Sequence, residues 1–191
     1  MPGRQAKVIS PTMLAAMLRC VARHYWPARS RVIVLLSVKA GLRAGEIAKL
    51  EWPMVLGPNG KVADSLVVED RIAKKGSGRR IPLHPDLKQA LIDLRGEGQG
   101  NGPVIVSRRG GPMTPNSIVN WFVSLFAELE FEGCSSHSGR RTFVTQAARL
   151  THKAGGSLRD VQLLAGHRSI ETTQAYIDGD SDAQRRLIGL L

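Results

Sequence analysis

The sequence predicts an α+β protein, mainly α-helical with one small antiparallel sheet, on three observations. Apolar residues recur at helical spacing toward both ends of the chain. They alternate only in a short middle stretch bounded by glycine turns, which is the pattern of half-buried strands. In 191 residues, 42% hydrophobic and 23% charged is an ordinary globular balance, so a single core is expected.

Residues 1–9 are basic, polar and aperiodic, and are expected to form a flexible arm. Ser10 is placed to cap a helix with Pro11 in its first turn. Leu14, Met17, Leu18 and Val21 then repeat at helical spacing until Pro27. A second helix over 28–39 carries Val32, Val34, Leu35 and Val38 and ends at Gly41, and a short third helix spans 44–50 with Ile47 and Leu50 inward. The period then changes. Strands are predicted at 66–68, 71–74 and 79–83, separated by turns at 57–60 and 76–78. A helix follows Pro85, closed by the glycine-rich stretch 96–102, and Val104–Val106 is a further short strand. Thr114 caps the most strongly amphipathic helix, carried by Ile118, Trp121, Phe122, Leu125, Phe126 and Leu129. Helices at 138–150, 157–164, 170–177 and a tail at about 183–191 complete one domain over 10–191.

The 27 Lys and Arg exceed the 16 Asp and Glu by 11, and a small basic domain most often meets a polyanion such as nucleic acid. The longest apolar run, Val32 to Leu36, is too short to cross a bilayer, and no secretory leader is seen, so a soluble cytoplasmic protein is expected. Cys20 and Cys134 form neither a disulfide framework nor a Cys-x-x-Cys metal motif, and no metal or cofactor site is expected.

Taken singly, the polar candidates have ordinary readings. Arg43 at a helix start can fork onto a phosphate or simply face solvent. Lys74 and Lys75 beside a glycine turn suit a DNA groove or a solubilising hairpin tip. His137 and Arg140, three apart, share a helix face. His167 and Tyr176 close two short helices, where packing roles are common.

In order, however, the set Arg43, Lys74, His137, Arg140, His167, Tyr176 resembles the tyrosine recombinase (phage integrase) family. The resemblance rests on Ala40-Gly41-Leu42-Arg43-Ala44-Gly45-Glu46-Ile47, the hairpin ending Arg79-Arg80-Ile81-Pro82-Leu83, His137-Ser138-Gly139-Arg140-Arg141-Thr142-Phe143, and Leu163 through Tyr176. It implies the recombinase catalytic fold and a site-specific DNA recombinase, an integrase or invertase of a mobile element. Arg43 and Arg140 would clamp the scissile phosphate and Tyr176 would attack it, giving a 3′-phosphotyrosyl intermediate without metal or ATP. His137 would accept the proton, His167 would hold a nonbridging oxygen, and the hairpin lysine would protonate the leaving 5′ oxygen. Counting back from Arg79 favours Lys74, while a turn of different length gives Lys75. Lys75, Arg79, Arg80, Arg108, Arg109, Arg141 and Lys153 are candidates for the surrounding DNA backbone.

Two departures stand out: Ser138-Gly139 where the family usually has a leucine, and Ala165 before Gly166-His167 where it usually has Leu. Glu46 and Asp160 are expected to support the arginine and cap a helix. In this sequence only a nine-residue arm precedes the catalytic fold, as expected either of a small recombinase of bacterial or phage origin, nucleoid-associated and similar to the fimbrial-switch invertases, or of a catalytic domain cut from a longer chain, and binding by one face is expected to be weak and salt-sensitive. The resemblance also implies double-stranded DNA as partner, and dimers and tetramers on DNA joined by a tail with Leu187, Ile188, Leu190 and Leu191. A non-catalytic DNA-binding relative and a type IB topoisomerase-like enzyme are the alternatives.

Overall fold

The computed structural model describes residues 6–96, 101–176 and 188–189. The chain divides into two compact units, Met1–Phe143 and Val144–Leu191, where the sequence had suggested one domain after the arm.

In the first unit the central element is α2 (Pro27–Lys39), whose residues 32–38 are all buried. A helix apolar on every side must be enclosed, and α2 packs against α1 (Pro11–Val21), α3 (Ala44–Lys49) and α4 (Pro85–Gly96). α3 packs in turn on α5 (Pro115–Glu128). The predicted starts hold. Ser10 Oγ accepts from the Met13 amide and Thr114 Oγ1 from that of Ser117, each satisfying a donor that a helix start leaves open.

The sheet has two strands, not three. β1 (Ser65–Val68) pairs antiparallel with β2 (Arg79–Pro82), in register Leu66 with Ile81. The expected strand at 71–74 is a pair of turns, because the amides of Ile72 and Ala73 both turn back to the Glu69 carbonyl. Arg71 is held there by Glu69 and Glu51, and Asp70 accepts from the Gly78 amide across the base of the loop. Val104–Val106 is likewise no strand. It lies between isolated bridges to Pro103 and Pro112, which lack the N–H a ladder needs to extend.

The arm is only partly an arm. The Lys7 amide donates to Gly133, the Ile9 amide to Thr142 Oγ1 at 2.8 Å, and the Ile9 side chain is fully buried. Burying an isoleucine is worth about 2 kcal/mol, enough to offset ordering of a residue or two of backbone.

α6 (Ser138–Leu150) begins in the first unit, and the boundary between the units falls within it. The second unit continues through a 3-10 turn (Thr151–Ala154) to α7 (Leu158–Ala165) and α8 (Ile170–Gln174), which pack on each other. Asp160 caps α7 as expected, accepting from both the amide and the hydroxyl of Ser157. α8 ends at Gln174, three residues short of the predicted end. The expected tail helix lies outside the described residues except Ile188 and Gly189, both exposed. Among the described residues no helix is long and apolar enough to cross a membrane.

Candidate active site

Gly41 and Glu46 organise the first unit's share of the predicted set. Past the end of α2 the chain must reverse into α3, and Gly41 does so at φ +64°, where a side chain would also strike the Phe143 ring, 2.9 Å from its Cγ. The turn delivers Arg43 to the N-cap of α3, and its own amide donates to Glu46 Oε2 at 2.9 Å. Arg43 Nη1 reaches Glu46 Oε1 at 2.8 Å, and about a fifth of its side chain remains exposed.

Glu46 is 1% exposed. Arg79 grips it from β2 with two parallel bonds of 3.0 and 2.9 Å. Burial pushes the Glu46 carboxyl up, but the Arg79 hydrogen bonds and charge, followed by the Arg43 amide and guanidinium, more than reverse this and hold it below its ordinary range. Arg79 was expected at the DNA backbone. Its side chain is instead 4% exposed and fastened to Glu46, so it ties β2 to the helix that begins at Arg43.

α6 supplies Arg140, which is buried and donates from Nη1 to the Gly41 carbonyl at 2.7 Å. The second predicted arginine is thereby anchored two residues before the first. His137 immediately precedes α6 and is exposed, with its carbonyl accepting the Arg141 amide. Gly139 explains the departure from the family pattern, since a Cβ there would lie 2.8 Å from Ser37 Cβ and 3.0 Å from the Ser37 carbonyl carbon. The glycine lets α6 touch α2 directly.

Lys74 and Lys75 are both exposed in the loop joining β1 to β2. Ser77 Oγ donates to the Lys74 carbonyl, and Lys75 and Gly76 both take positive φ, 60° and 61°, in a tight turn. Of the other backbone candidates, Arg80, Arg108, Arg109 and Lys153 are exposed. Arg141 is half-buried, with its Nε enclosed and without a hydrogen-bond partner among the described residues.

The second unit brings His167 and Tyr176 together. Gly166 ends α7 at φ +62°, turning the chain so that the His167 ring enters the interior. There Nδ1 shares a 2.9 Å hydrogen bond with Thr173 Oγ1, and the His167 carbonyl accepts from Gln162 Nε2 at 3.0 Å. Tyr176 stacks on the imidazole, with centroids 5.5 Å apart and planes 20° from parallel. The Tyr176 amide donates to the Thr173 carbonyl, and its own carbonyl accepts from Thr145 Oγ1 at 3.4 Å.

Sequence pattern did not single out Thr173 or Gln162, and it placed Arg79 at the DNA backbone rather than beside Glu46. Thr173 had a local signal, a hydroxyl between His167 and Tyr176 on a short helix. Arg79 had none, because its partner lies 33 residues away.

Residues 7–182 match the model of the Phage integrase family, nearly the whole chain, and the chain belongs to that family. Its fold is that of tyrosine recombinase catalytic domains. Among individual proteins it is similar to tyrosine recombinase XerC of Bradyrhizobium diazoefficiens, 30% identical over 163 residues, which cover 81% of this chain and 47% of that protein. XerC of Methylobacterium nodulans is 29% identical over 159 residues, covering 81% and 46%. The chain therefore spans about half the length of the curated relatives it matches. The Tn1549 transposon integrase, solved in complex with a circular intermediate DNA, superposes with a TM-score of 0.76 at 19% identity, over all of this chain and 67% of that one. XerA recombinase gives 0.73 at 24% identity, over all of this chain and 65% of that one.

Proposed function

We propose that this chain is the catalytic part of a site-specific DNA recombinase that cuts and rejoins strands through Tyr176. The observation that carries it is the pairing of two buried frameworks with the family's ordered residues: arginines anchored through Glu46 and Gly41, and a tyrosine stacked on a histidine held by Thr173.

A phosphodiester repels nucleophiles, and attack at phosphorus moves charge onto its nonbridging oxygens. Arg43 and Arg140, both permanently protonated, stabilise that charge with preorganised donors. The Tyr176 phenol attacks phosphorus and His137 takes its proton, while His167 donates to a nonbridging oxygen. Lys74, or Lys75 by a one-residue change of register, protonates the departing 5′ oxygen. The phosphotyrosine ester conserves the bond, so a 5′ hydroxyl from a partner duplex can attack it and release the tyrosine. Arg80, Arg108, Arg109, Arg141 and Lys153 lie along the flanking backbone, and the enzyme works as dimers and tetramers on double-stranded DNA.

The test uses nicked duplexes from the DNA flanking the gene, inverted repeats first. The wild-type chain is expected to give a denaturant-resistant covalent protein–DNA band, absent in Tyr176→Phe while binding persists. A band that survives in Tyr176→Phe overturns the assignment of the nucleophile.

A further inference from the structure

A second polar cluster in the first unit shares no residue with the proposed chemistry. Cys20 lies in the last turn of α1, His24 in the turn that follows, and Glu128 ends α5. Their donor atoms converge. Cys20 Sγ is 3.0 Å from Glu128 Oε1 and 3.8 Å from His24 Nε2, and His24 Nε2 is 3.5 Å from Glu128 Oε2. One thiolate, one imidazole and one carboxylate around a tetrahedral zinc ion have donor–donor edges of about 3.3–3.6 Å, from metal–ligand distances of about 2.0–2.3 Å. The sulfur–nitrogen and nitrogen–oxygen separations lie about 0.2 Å above their own edges, whereas the sulfur–oxygen separation is about 0.5 Å below its edge and is made by the other carboxylate oxygen, so rotation of the Glu128 carboxylate is needed to bring one oxygen to the ion.

The surroundings suit an ion rather than only a surface ion pair. The sulfur is enclosed at 2% residue exposure, whereas the His24 and Glu128 side chains are 24% and 56% exposed and open the site to solvent. Trp121 meets the His24 ring edge to face, with centroids 6.1 Å apart, and fixes its plane.

We propose that Cys20, His24 and Glu128 bind one borderline-soft divalent cation of the zinc type, with water in the fourth position. Soft sulfur with nitrogen selects such an ion over magnesium or calcium, which prefer all-oxygen shells. A thiolate and a carboxylate balance the dication. On binding, the ion takes the place of the thiol proton, which passes to solvent, and no electron is transferred. The ion cross-links α1 to α5 across 108 residues of sequence, so its role is to fasten two helix ends. Read alone, the sequence shows only Cys-x-x-x-His, because the third donor comes from a distant helix.

The test is titration of the chelator-treated full chain with Co2+. One equivalent is expected to produce tetrahedral visible bands and a thiolate-to-cobalt charge-transfer band, both displaced by Zn2+. Zn2+ at a hundredfold excess over its dissociation constant is expected to raise the Tm by about 5 °C. Cys134→Ser is expected to leave the spectrum unchanged and Cys20→Ser to abolish the charge-transfer band. Because Cys20 is buried, His24→Gln and Glu128→Gln provide the second check, each weakening Co2+ binding about tenfold or more. No charge-transfer band in the wild-type chain, a band that persists in Cys20→Ser, or unaltered affinity in both His24→Gln and Glu128→Gln overturns the site.

Discussion

A carboxylate as enclosed as Glu46 is tolerated because three guanidinium N–H groups and one backbone N–H surround it. Replacing it with glutamine removes the counter-charge that Glu46 supplies to the buried Arg79, and Glu46→Gln is expected to lower stability by about 3 kcal/mol in urea denaturation at pH 7. The pH dependence has a definite sign. The folded-state carboxyl is held below its ordinary value of 4.5, so its contribution is fully present above that pH and is lost as pH falls through the lowered folded-state value. The difference in urea midpoint between wild type and Glu46→Gln should therefore shrink on acidification, and a difference that grows would contradict the assignment. Thr173 acts on His167 in a comparable way, through one hydroxyl. Thr173→Val keeps the volume but leaves Nδ1 without that partner, at a cost of about 1–2 kcal/mol. Single-turnover DNA cleavage should slow about tenfold while DNA affinity stays within twofold; equal losses in both would mean a merely structural role.

Among the elements, α6 is interlocked with α2 and the turn that follows it at three points: Gly139 against Ser37 of α2, and, at the turn, Phe143 against Gly41 and Arg140 onto the Gly41 carbonyl. Gly139→Ala forces a methyl into Ser37 and is expected to cost about 1–3 kcal/mol. Ser37→Gly removes two of the atoms it meets, so the double variant should be less destabilised than the sum of the singles in a thermal melt. Additive losses would show that the contact does not set the cost. The elements themselves were largely legible. Ser10 and Thr114 announced their helices because a capping hydroxyl acts within three residues, and Gly41 announced the end of its helix because a positive φ is a local requirement. The strands at 71–74 and 104–106 were misread for the converse reason. Alternation shows which residues could line a strand, whereas a strand also needs partner amides. Glu69 and Asp70 drew one segment into turns, and prolines closed the ladder at the other.

For the whole molecule, the excess of 11 positive charges is not one uniform DNA-binding surface. Arg79 is spent on Glu46 and Arg140 on the Gly41 carbonyl, while Arg80, Arg108, Arg109 and Lys153 remain outward. Under the proposed function, the apolar end of the sequence with Leu187, Ile188, Leu190 and Leu191 is expected to dock on a neighbouring subunit, because an apolar segment gains by burial against a partner. Deletion after Asp182 is expected to preserve covalent cleavage of a single site and to reduce two-site synapsis about tenfold in a gel-shift assay. Unchanged synapsis would place the assembly contact elsewhere.

By itself the sequence determined the order of the helices, the place of the one hairpin, the basic character and the six ordered residues of the family pattern, because caps, turns and periodicity are written within a few residues of one another. Only the tertiary structure decided which arginine is buried and which stays at the surface, why Gly139 stands where a larger residue is usual, and that Cys20 and His24 meet Glu128. Each of these depends on the desolvation of a group by residues 33 to 108 positions away, and local pattern carries no record of such distances.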